Sequence, residues 1–251
     1  KEPGFNGIKF TDTINGFVDD VKVIDPGGLA VFMNYCKNIT VNGVVVEASS
    51  PEMMRHHHAF GFANSADCIY QNFEIKSRPN HGVYVGNFCV NNVYSNGTMA
   101  GGTFDYHRRL PYANVYTQIE IVNDGDSGGA SASGPAMGAR HTHWNVNLNR
   151  SSSRWTAQPD VMPMGALVGV QCATPTDPVN AENGDSEALL EDVSLDAGVP
   201  SPVNLYEAQL ALRLGDSIQG GGGMGACADC EIDVPYNFGF SGALNTPLTG
   251  K

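Results

Sequence analysis

The densest grouping of acid, base and cation in this 251-residue chain is Asp105-Tyr106-His107-Arg108-Arg109. Arginine grips a carboxylate or sulfate through its planar fork, and histidine or tyrosine can move a proton near neutral pH. A second proton-transfer pair, His81 and Tyr84, lies upstream, and His141-Thr-His143-Trp-Asn145 lies downstream. Taken together these residue types suit abstraction of a proton beside a carboxylate. His81, Tyr84, Tyr106, His107, Arg108, Arg109 and His143 are therefore the catalytic candidates. His58, Arg140 and Asn145 are the substrate-binding candidates.

Two histidine clusters offer imidazoles to a metal. In His141-Thr-His143 the i, i+2 spacing sets two imidazoles on one strand face, within reach of one ion. In His56-His-His58 neighbouring side chains cannot all point one way, so no metal ligand is assigned. The segment Asn123-Asp-Gly-Asp-Ser-Gly128 opens like a calcium loop but lacks the closing glutamate. No cofactor is required on this reading, and calcium is the one left open. Cys227-Ala-Asp-Cys230 reads as a structural disulfide, and Cys68 and Cys89 fall near similar places on neighbouring turns of chain, ~4.8 Å apart, which also suits a disulfide.

The elements that must position these groups announce themselves as a repeat. A histidine, a short apolar run and an asparagine recur as His58 to Asn64, His81 to Asn87 and His141 to Asn147, with a looser copy from His107 to Asn114. The marks Asn34, Asn64, Asn87, Asn114, Asn147 and Gln171 are 30, 23, 27, 33 and 24 residues apart. That is one solenoid turn with loops of varying length, whereas sandwich strands recur at about 8–12 residues. Short β-branched runs, among them Val83-Tyr-Val85, Leu167-Val-Gly-Val170, Val193-Ser-Leu195 and Leu210-Ala-Leu212, supply the strands. The fold expected is all-β, a right-handed parallel β-helix over 1–216 with a glycine-rich C-terminal tail, 217–251, capping the last coil. The composition of residues 123–139 reads as a flexible excursion inserted into one coil.

Strand parity sets Phe60 and Phe62 inward and leaves Ala59, Gly61, Ala63, Gly82 and Gly86 as a bare outer floor. Tyr84 rises from it. Parity reverses after Thr142, so Trp144 and Val146 are expected inside while His141, His143 and Asn145 project.

Composition narrows the partners. A formal charge of −12 with only 14 Lys and Arg argues against nucleic acid, and no apolar run is long enough for membrane insertion. Six cysteines and the sequons at Asn38, Asn96 and Asn149 favour a secreted, extracellular, disulfide-bonded glycoprotein. The chain reads as a mature or cut product, part of something longer, and solenoids of this kind associate readily, so a homo-oligomer is also expected.

The coil pattern resembles the right-handed parallel β-helix proteins of the pectate-lyase-like superfamily, over about residues 5–215. Asn80-His81-Gly82-Val-Tyr-Val85 is similar to the Gly-His-Gly strand of polygalacturonases, although their paired aspartates and Arg-x-Lys are not recognisable here. The resemblance implies the fold and a shallow groove along one sheet. The leading expectation is an extracellular lyase that cleaves an acidic polysaccharide by β-elimination. A polygalacturonase-type glycoside hydrolase would need two facing carboxylates, with Asp67, Asp105 and Glu120 as candidates. The third expectation is a noncatalytic glycan-binding or structural module of a coat, filament or spike.

Overall fold

The computed structural model describes residues 6–106, 109–122, 127–128, 139–148, 164–172, 192–195 and 198–215. Within them the chain winds into an all-β parallel β-helix in which every paired strand is parallel. One sheet stacks β1 (Ile8–Thr11), β4 (Leu29–Asn34), β7 (His58–Ala63), β9 (His81–Val85), β11 (Phe104–Tyr106) and β13 (Ser127–Gly128). The other stacks β2 (Phe17–Asp19), β5 (Thr40–Asn42), β8 (Ile69–Ile75), β10 (Val93–Met99), β12 (Val115–Ile121), β14 (Thr142–Leu148), β15 (Ala166–Cys172) and β16 (Asp192–Leu195). In the first coils a third short side is separate: β3 (Lys22–Ile24) pairs with β6 (Val45–Glu47), which pairs with the end of β8. Thr40, Ile69, Val93, Val115, Thr142 and Ala166 stand one above another, so these coils take 29, 24, 22, 27 and 24 residues.

Corners are made where single residues adopt left-handed backbone angles. Asn15, Asn38, Asp67 and Asn91 hold such angles at one corner, and Asn72, Asn96, Gln118, Asn145 and Gly169 at another, in the middle of β8 to β15. Asn, Asp and Gly tolerate these angles best, and stacking them lets each amide bond to the next coil. Asn42 donates to Asp19 at 2.6 Å, Asn72 to Asn42 at 2.7 Å and Asn96 to Asn72 at 2.7 Å.

The six sequence marks do not share one column. Asn34 and Asn64 are bonded to each other at 3.0 Å, and the Asn64 backbone N–H meets the Asn87 carbonyl. Asn114 lies inside a different corner, where its side chain accepts from the backbone and side chain of Asn92. Asn147 stands on the outer face of β14, in register with Gln171. Several polar columns with nearly the same period run along the coil.

The interior is aromatic. Val41, Tyr70, Tyr94, Tyr116, His143 and Leu167 form one in-register column. Its rings lie nearly parallel, with centroids 5.2 Å apart for Tyr70 and Tyr94, 5.4 Å for Tyr94 and Tyr116 and 4.5 Å for Tyr116 and His143. Each such pair adds about 0.5–1.5 kcal/mol beyond area burial.

Two further expectations are corrected. Leu210-Ala-Leu212 is not a strand but part of α1 (Leu205–Leu214), capped by Asn204 and ended by Gly215 with φ 78°. Its Leu205 and Tyr206 cover Ile69, Val93 and Val115 on the outside of the second sheet. No helix among the described residues is long and apolar enough to cross a membrane. Cys36, Cys68 and Cys89 are buried free thiols, so the proposed Cys68–Cys89 disulfide is not formed. Register explains this: Asn92, not Cys89, stands over Cys68, whose backbone N–H donates to the Asn92 side chain at 3.0 Å. The cysteines at 227 and 230, the glycine-rich tail and the Asn149 sequon lie outside the described residues.

Candidate functional site

On the first sheet Phe60, Phe62, Val83, Val85, Phe104 and Tyr106 point into the core. The alternate column, Gly61, Tyr84 and Asp105, is on the outer face. His58 and His81 are register neighbours at the starts of β7 and β9. Although His58 shares parity with Phe60, its ring departs from the core at the strand end and meets Asp105, Nε2 to Oδ2 at 2.8 Å, with both side chains buried. A carboxylate only accepts, so Nε2 carries the proton and donates. The His58 Nδ1 has no hydrogen-bond partner. Burial pushes the His58 imidazole down to about 4, outweighing the opposing pull of Asp105, so at neutral pH the ring is uncharged.

The three consecutive histidines separate. His56 turns inward, with Nε2 at 2.8 Å from Ser77 Oγ and Nδ1 at 2.9 Å from the His58 carbonyl. The chain bends at His57, which is exposed, and its ring comes to 4.1 Å from that of His58 and 5.3 Å from that of His81. His58 and His81 stack at 5.0 Å. One ring nitrogen from each of His57, His58 and His81 lies within 4.8 Å of the others. As expected of adjacent residues, His56, His57 and His58 do not all face one way; the third ring of the cluster is His81, from the next coil.

The floor is not bare. Gly61 and Gly86 are small because the Tyr84 ring lies flat across them: a Cβ on Gly86 would sit 2.1 Å from the Tyr84 hydroxyl, and one on Gly61 2.7 Å from its ring. Ala59 and Ala63 are buried as well. Burial raises the Tyr84 phenol well above its usual value, which Asp105 reinforces and the Arg109 charge opposes. Half-buried and kept protonated, Tyr84 can give a proton and cannot readily take one. Arg109 is exposed, with a left-handed φ of 86°, and its carbonyl accepts from the Phe88 backbone one coil below.

Other candidates fall elsewhere. Tyr106 and His143 do not project: both are fully buried in the core, where the Tyr106 hydroxyl is hydrogen-bonded to His143 Nε2. His141 is also interior, its Nδ1 accepting from the Asn114 backbone at 3.2 Å. Parity failed here because left-handed Asn145 inserts a corner into β14, so that His143 and Val146 are both inward while Trp144 is only partly buried. Asn145 donates to the Val203 carbonyl at 3.0 Å, on the side covered by the approach to α1. Arg140 is exposed at a corner with φ 54°. His107 and Arg108, and the acidic segment proposed for calcium at 123–126, lie outside the described residues. The three carboxylates proposed for a hydrolase do not face one another: Asp67 is at a corner near Lys37, Asp105 is held by His58 on the first sheet, and Glu120 is on the second.

Sequence reasoning missed the role of Asp105 as the His58 partner and the whole tyrosine column. A signal for the column was present: Ile69-Tyr-Gln-Asn72, Val93-Tyr-Ser-Asn96, Val115-Tyr-Thr-Gln118 and Thr142-His-Trp-Asn145 repeat a β-branched residue, an inward ring and a corner amide.

Fold and face together define a parallel β-helix protein with a histidine, tyrosine and aspartate cluster drawn from three successive coils. Within that class, the chain belongs to the family described as Domain of unknown function (DUF4955), whose match covers residues 79–219. That span holds His81, Tyr84, Asp105 and Arg109; His57 and His58 precede it. No curated protein and no solved structure matches the chain.

Proposed function

We propose that this is an extracellular carbohydrate-active β-helix protein of the pectate-lyase-like kind, foremost a lyase that cleaves an acidic polysaccharide by β-elimination on the outer face of β7, β9 and β11. The observation that carries the reading is the closeness of His81 and Tyr84 to the buried His58–Asp105 pair, each ring centroid 5.0 Å from that of His58. Half-exposed His81 is the base that removes the proton alpha to a uronate carboxylate. Electron density moves into the new double bond as the glycosidic C–O bond breaks, and Tyr84 protonates the departing oxygen. Arg109 neutralises the carboxylate on which charge develops. His58 and Asp105 act as a fixed buried support for the stacked His81 ring.

The lyase reading is favoured over the hydrolase because Asp67, Asp105 and Glu120 do not form a facing pair. The extracellular setting rests on the sequons, of which Asn96 is exposed. The test is to incubate the chain with a panel of polyuronates and follow the ultraviolet absorbance of unsaturated product, comparing His81→Ala, Tyr84→Phe and Arg109→Ala. Loss of roughly 10²–10⁴-fold is expected on removing the base or the acid. Undiminished turnover in His81→Ala and Tyr84→Phe would overturn the assignment, and glycan binding without product would favour the noncatalytic module.

A further inference from the structure

We propose that His57, His58 and His81 form a binding site for a divalent transition metal of the zinc class. Three observations carry this, and none depends on the lyase reading. The first is proximity: one ring nitrogen from each histidine lies within 4.8 Å of the others, although the residues come from two coils. Four-coordinate zinc with Zn–N bonds near 2.0–2.1 Å holds its nitrogens about 3.4 Å apart, so small side-chain rotations would close the set.

The second is how His58 is held. Its Nε2–H is committed to the Asp105 carboxylate at 2.8 Å, while Nδ1 is buried without a hydrogen-bond partner. A carboxylate that grips one nitrogen, fixes the tautomer and leaves the other nitrogen for the metal is the usual outer support of a metal-bound histidine. A buried imidazole nitrogen left unpaired is otherwise unfavourable.

The third is access. His57 is exposed and His81 half-exposed, so an ion can enter from solvent and keep a position for water or substrate. Three protein ligands with one open position is the composition of a catalytic site, and zinc lowers the pKa of a bound water to about 7. A bound ion would occupy the His81 lone pair, so the base role proposed for His81 belongs to the metal-free protein.

The test is titration of the chelator-treated full chain with Zn²⁺ by calorimetry and with Co²⁺ by visible absorption. One ion per chain is expected, with the intense visible band of four- or five-coordinate Co²⁺. Asp105→Asn is expected to weaken binding about 10–100-fold. His57→Ala, which alters an exposed side chain, is expected to abolish the band, and unfolding in urea should do the same, because it separates His81 from the His56-His-His58 run. Absence of saturable binding, or a band unchanged in His57→Ala and His81→Ala, overturns the proposal. Polyuronate turnover is measured separately on the chelated protein: turnover without the metal leaves the lyase reading standing, and metal binding without turnover leaves the site standing.

Discussion

Acidification should unfold this protein through its interior histidines. His141 and His143 are fully buried, and burial pushes His141 down to about 3 and His143 well below its ordinary value, the latter with help from His141 itself. His143 is enclosed by Tyr106, Tyr116, Phe104 and His141, none of which supplies a negative charge. Above about pH 6.5 both rings are neutral folded or unfolded, and nothing is lost. Below it the unfolded chain takes up two protons on these rings, and a third on His58 down to about pH 4, that the folded chain refuses, so stability falls as pH falls, down to about pH 3 for His141 and further for His143. Each imidazole contributes a slope of about 1.4 kcal/mol per pH unit, hence about 2.7 kcal/mol per unit for the pair. That is a large share of a typical folding free energy of about 5–15 kcal/mol. The measurement is denaturant unfolding at pH 7, 5.5 and 4.5 for the wild type and for His143→Leu, which copies Leu167 on the next coil. At pH 7 the variant should be weaker by about 1–3 kcal/mol because the buried Tyr106 hydroxyl loses its partner. Its pH slope should nevertheless be shallower by about 1.4 kcal/mol per unit. Equal slopes in the two proteins, or a wild type flat over this window, would refute the reasoning.

Other perturbations reach different parts of the coil. Asn114→Ala removes an acceptor for Asn92 and a donor to the Cys89 and Tyr112 carbonyls, and should cost about 1–3 kcal/mol for each buried group left unpaired, read by denaturant unfolding. Gly86→Ala drives a methyl into the Tyr84 hydroxyl and should destabilise by about 1–3 kcal/mol, most of it recovered in Gly86→Ala/Tyr84→Ala; no recovery would mean that Tyr84 does not lie there. Cys36, Cys68 and Cys89 should resist thiol reagents at pH 8 until the chain is unfolded, because they are buried and burial raises the Cys68 and Cys89 thiols to about 12.

The solenoid was legible because its period survives in the spacing of strands and corner residues, which local backbone preference largely decides. Facing was less legible. Parity works along an uninterrupted strand such as Val83-Tyr84-Val85, but Asn145 puts a left-handed residue inside β14 and resets the alternation, which hid His143 in the core. The outer cluster depended on two further things that spacing does not carry: the bend at His57 and the departure of His58 from the core at the end of its strand. The small residues at 61 and 86 suggest a bare floor, but the neighbouring Tyr84 ring fills it. A disulfide between Cys68 and Cys89 failed on a three-residue offset that only the register reveals.

Stacking of β7, β9 and β11 brings His58, His81 and Asp105 together. Nitrogen chemical shifts of the histidine side chains in the wild type and in Asp105→Asn test it most directly. A neutral His58 protonated on Nε2 is expected, whose signals, together with those of the stacked His81, move when the carboxylate is neutralised. A His58 protonated on Nδ1, or resonances indifferent to the change at Asp105, would contradict it.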